Sequence, residues 1–92
     1  MNADWDSKAF FQKYEQVMTL ARKKHPFYAE GKYQALGVIG EEYEEFVKAI
    51  EKESELRSIE EAWDVIATCT RFIVGEHRLQ GEKRGFGWEK RL

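Results

Sequence analysis

The chain has 92 residues, 42% hydrophobic and 35% charged, with one proline, one cysteine and a formal net charge of −2. This size sets one domain with a modest core, and this composition excludes collagen, low-complexity disorder and a disulfide scaffold. No apolar run approaches the ~20 residues of a bilayer span, Met1–Ser7 reads as too acidic for a signal peptide, and near-balanced charge argues against a nucleic-acid partner. The lone Cys69 fits a reducing, cytoplasmic setting.

Three stretches carry helical periodicity. The first is expected from Ser7 to Lys24, with Ser7 as N-cap and Phe10, Tyr14, Val17, Met18 and Ala21 recurring at spacings of three and four. His25-Pro26 ends it, because a residue before proline is pushed out of the helical region. Phe27 to Lys32 reads as a connection. A second helix is expected over Tyr33 to Glu53, then a link from Ser54 to Arg57. Ser58 looks like the N-cap of a third helix, with Glu61 completing a capping box, running to near His77. Residues 1–79 thus form one all-α domain of antiparallel helices. Residues 80–92 are a tail of different kind, with Gly81, Gly85 and Gly87 among Lys83, Arg84, Lys90 and Arg91. It reads either as a frayed end or as a lid over an anionic ligand.

The acids carry the chemistry. On a wheel at about 100° per residue, with Glu42 at zero, the apolar residues of the second helix fill an arc from about −40° to +140°. Glu42 lies inside that arc and Glu45 at its edge, whereas Glu44, Lys48 and Glu51 face away. The third helix has an apolar sector of about 220°, bordered by Glu61, with Asp64, Thr68 and Arg71 on the remaining stripe. That sector is too wide for two neighbouring helices to cover, so a second chain completing a four-helix core is expected. Each helix offers a pair of acids one turn apart. Brought together, Glu42, Glu45, Glu61 and Asp64 make an oxygen-only cluster suited to Mg²⁺ or Mn²⁺. The alternative is that Glu42 and Glu61 are structural carboxylates paired with Arg57 or Arg71.

At these residues the sequence resembles the MazG-like all-α nucleoside triphosphate pyrophosphohydrolases. Glu41-Glu42-Tyr43-Glu44-Glu45 matches the E-E-x-x-E half of that family's signature, and Glu61-Ala62-Trp63-Asp64 matches the E-x-x-D half. The resemblance covers Tyr33 to Val74. It implies a homodimer or a dimer-of-dimers tetramer, and hydrolysis of a nucleoside triphosphate to the monophosphate and pyrophosphate. By motif position it implies Glu42, Glu45, Glu61 and Asp64 as Mg²⁺ ligands and Glu41 as the catalytic group holding or deprotonating the attacking water. Phosphoryl chemistry of this kind needs positioning and charge neutralisation more than covalent catalysis.

Lys48 and Arg71 are candidate substrate-binding residues for phosphates, or else solvated or salt-bridging ones. Trp5, Phe10 and Trp63 are candidates for base stacking, with core or interface contacts favoured for Phe10 and Trp63. His25 reads as a surface residue. A phosphoribosyl-ATP pyrophosphohydrolase is a weaker reading, since Val65-Ile66-Ala67-Thr68 stands where that group has a tyrosine–histidine element. A non-catalytic helical dimer acting as an interaction module is the reading from a different class.

Overall fold

A computed structural model describes residues 5–78 as three helices, α1 (Ser7–Lys24), α2 (Lys32–Lys52) and α3 (Glu55–Ile73). The chain is all-helical over the described residues, as the periodicity requires. The tail expected over 80–92 lies outside them. No helix among the described residues is long and apolar enough to cross a membrane.

Helix ends differ from expectation where a second capping residue competes. Asp6, not Ser7, caps α1: its backbone is extended and its carboxylate accepts from Lys8 N at 2.9 Å and Ala9 N at 3.4 Å. Asp and Ser are equally good caps, so Ser7 becomes the first helical residue. Likewise Ser54 caps α3 by accepting from Arg57 N at 3.1 Å, and Ser58 lies inside the first turn, its hydroxyl donating to Ser54 O. The expected link and capping box are therefore absorbed into the helix. At the other end α3 stops at Ile73 rather than near His77. Gly75 adopts φ 85° and donates to Phe72 O, while Glu76 N donates to Arg71 O. This double closure around a left-handed glycine ends a helix by satisfying its last carbonyls.

The two-residue join at Glu53–Ser54 makes α2 and α3 an antiparallel hairpin, the most extensively packed pair. Helix α1 packs on α3 and not on α2. Its contacts rise along both chains together: the Phe10 ring sits 4.9 Å from that of Trp63, and Tyr14 donates to Thr70 Oγ1 at 2.9 Å. Near its end Arg22 pairs with Glu76. α1 and α3 thus run in the same direction, so Phe10 and Trp63 serve as packing residues between them.

The connection between α1 and α2 is fastened to the end of α3. Tyr28 and Ala29 are buried, and the Tyr28 hydroxyl donates to Thr68 O at 2.8 Å. Burial first, then the Cys69 thiol nearby, pushes that hydroxyl up to about 12, so it stays a neutral donor. Gly31, at φ 93°, donates its N–H to His77 O at 2.7 Å. Arg71 is buried under the same segment. Its Nε donates to Glu76 at 2.6 Å, its other nitrogens reach Ala21 O and Pro26 O at 3.5 Å, and its guanidinium lies over the Tyr28 ring.

Candidate metal centre

Helix α2 carries Glu42 and Glu45 one turn apart, and the hairpin sets them opposite Glu61 on α3. One carboxylate oxygen from each of Glu42, Glu45 and Glu61 lies within 4.8 Å of the others. Burial is graded across the trio: Glu45 is exposed, Glu42 half-buried, and Glu61 only 5% exposed. Arg57 donates to Glu61 Oε2 at 2.5 Å, but the buried Oε1 receives no hydrogen bond from a described residue. Asp64 stands beside Glu61 and is not in the trio.

The electrostatics record a crowd of like charges. Burial, then Asp64, Glu45, Glu61 and Glu41, hold the Glu42 carboxyl above its ordinary range. Burial and then Asp64 raise Glu61, against the pull of Arg57. Burial also raises Asp64, while its neighbour Glu61 and the charges of Lys24 and Arg57 oppose the rise. No ion pair forms to Glu42, Glu45 or Asp64 among the described residues, so the pairing alternative holds for Glu61 and Arg57 alone. An oxygen-only set with one buried, unpartnered carboxylate oxygen fits a hard divalent cation.

A cavity of about 320 Å³ adjoins the acids. Glu41, Glu42 and Asp64 line its acidic side, and Lys24, His25 and Phe27 from the end of α1 and the connection line the other. Arg71 also reaches its wall, with its donors engaged as described above. Glu41 borders a second, shallower depression as well, shared with Glu42, Glu44, Glu45 and Lys48. Glu41 and Lys48 are exposed. Trp5 is exposed, its ring 6.0 Å from that of Phe10.

Sequence reasoning missed Lys24 and the walls supplied by Phe27 and Tyr28. A basic last turn on α1 has a general explanation in the helix dipole, and nothing local in the sequence shows that Lys24 faces Asp64. No family model, curated protein or solved structure gives a significant match to the chain.

Proposed function

We propose that this chain is a Mg²⁺-dependent nucleoside triphosphate pyrophosphohydrolase of MazG-like type, releasing the monophosphate and pyrophosphate. The observation that carries the reading is Glu61. A carboxylate almost wholly buried, with one oxygen left without a donor and two more carboxylates within reach, is costly without a cation. Glu42, Glu45 and Glu61 would hold that cation, with Asp64 as a further oxygen donor beside Glu61. Bound there, Mg²⁺ or Mn²⁺ would supply charge neutralisation for the triphosphate and acidify a water.

The remaining roles fall to this chain's own side chains. Glu41, which borders both depressions, would orient a water or take its proton. Lys24 and Lys48 flank the acids and suit phosphate oxygens, whereas Arg71 holds the connection in place. The cavity is at the small end of the usual range for ligand pockets.

A homodimer with a four-helix core, or a tetramer built from two dimers, belongs to the same reading. Its support is the apolar surface left on the hairpin, which includes Leu36, Tyr43, Ile50, Ile59 and Ile73. The single free Cys69 supports a reducing, cytoplasmic setting.

The test is pyrophosphate release from a panel of standard and damaged nucleoside triphosphates, with Mg²⁺ or with chelator. Metal binding to the folded state should also raise the melting temperature as RT ln(1 + [L]/Kd). A shift reproduced by equal ionic strength of NaCl would leave only a structural acid cluster.

A further inference from the structure

We propose that Arg57 is a positioning residue for the carboxylate trio, fixing Glu61 by Oε2 so that Oε1 is the oxygen left for a divalent cation. The inference rests on the metal reading above and adds the device that sets the site's geometry. Arg57 lies on the first turns of α3, half exposed, yet each guanidinium nitrogen goes to a different carboxylate. Nη1 donates to Glu60 at 2.6 Å, Nη2 to Glu61 Oε2 at 2.5 Å, and Nε to Glu53 at 3.4 Å. A planar fork held at three points has a fixed orientation, which a flexible ammonium does not achieve.

The three acids differ in burial. The Glu53 and Glu60 side chains are 34% and 52% exposed, and that of Glu61 is 6% exposed. The two outer acids therefore hold the guanidinium, and the guanidinium holds the inner acid. Pairs between exposed groups add little stability, so three of them spent on one arginine are better explained by what they orient. Hydrogen bonds from outside the ligand set that fix a metal-binding side chain are typically worth about 10–100-fold in metal affinity.

Charge alone predicts the opposite sign. A guanidinium beside the trio repels a cation, and removing it should tighten metal binding. Positioning predicts weaker binding. The experiment is Mn²⁺ titration of the full chain, following free Mn²⁺ by electron paramagnetic resonance, with melting in chelator as the check on folding. Arg57→Met should raise the Mn²⁺ dissociation constant by about 10–100-fold. Equal or tighter binding overturns the proposal. If Arg57→Met does not fold, Arg57→Lys decides, because it keeps the charge and loses the fork: weaker binding supports the proposal, and unchanged or tighter binding overturns it. A wild-type chain that binds no Mn²⁺ overturns the metal reading and this inference together. Wild-type binding that Arg57→Met leaves unchanged removes only the role of Arg57.

Discussion

Glu42 is the residue at which the two readings of the acids part. It is half-buried, surrounded by Asp64, Glu45, Glu61 and Glu41, and has no ion-pair partner among the described residues. Glu42→Gln keeps the shape and removes one charge from a repelling cluster. In chelator the variant should melt no lower than wild type, and Mg²⁺-dependent pyrophosphate release should fall by roughly 100-fold or more. A variant that melts lower yet stays active would mean that Glu42 is structural. The cluster also sets a pH dependence. Glu42, Glu61 and Asp64 all titrate above their ordinary values of 4.5, 4.5 and 3.8. An acid raised on folding makes the folded state bind more protons between the two values, so stability is lost as pH rises through that window. Without metal, melting temperature should therefore decline as pH rises above the ordinary carboxylate values, and Mg²⁺ should offset the decline. A flat profile in chelator would show that the charges are not held close in solution.

Two glycines test the element scale, because one substitution should act in opposite directions. Gly37 lies inside α2 with nothing within 4 Å of an added Cβ. Gly37→Ala should raise stability by about 0.5–1 kcal/mol, the difference in helix propensity. Gly75, at φ 85°, closes α3, and a Cβ there is strained. Gly75→Ala should cost about 1–2 kcal/mol, which thermal melts resolve as several degrees in a domain of this size. That end of α3 matters because Arg71, Glu76 and His77 hold the connection between α1 and α2, and the connection walls the cavity. The stop at Gly75 was not legible in the sequence, where the apolar pattern carries the helix on to near His77; the left-handed turn and its hydrogen bonds end it earlier. The caps at Asp6 and Ser54 were also hidden, since Asp6-Ser7 and Ser54/Ser58 each offer two equivalent residues and only the hydrogen bonds choose between them.

Taken whole, the described chain has little core of its own. Its buried apolar residues are Met18, Tyr28, Val74 and four alanines, and no large side chain is fully buried among the described residues. The apolar arc of α2 is only partly covered. Ala35 and Ala49 are buried against the rest of the chain, while Leu36, Tyr43 and Ile50, seven residues apart, are 65%, 56% and 59% exposed. On α3 the same spacing joins Ile59, Ile66 and Ile73, of which the outer two are exposed and Ile66 half-buried. Paired sevenfold stripes on an antiparallel hairpin suit a second hairpin laid across them. On the proposed dimer, light scattering should return about twice the 10.9 kDa chain mass or more. The double variant Leu36→Glu, Ile50→Glu should shift the protein to monomer and lower its melting temperature. A stable wild-type monomer at micromolar concentration would exclude the dimer.

The all-helical class and the three helices were determined by the sequence itself, as was the placing of Glu42 and Glu45, and of Glu61 and Asp64, one turn apart on their own helices, because periodicity and spacing are local properties of a 3.6-residue turn. Local spacing also indicated that Glu42 points inward. What only the tertiary structure decided is which oxygens converge: Glu42, Glu45 and Glu61 meet within 4.8 Å, with Asp64 beside Glu61. It also decided that Arg57 takes one oxygen of Glu61, and that Arg71 is consumed in fastening the connection. The placement of α1 on α3, in the same direction and away from α2, brings Lys24 to Asp64 across 40 residues of sequence. No local pattern encodes that neighbour, because it follows from how Phe10, Tyr14 and Arg22 find Trp63, Thr70 and Glu76 on another helix.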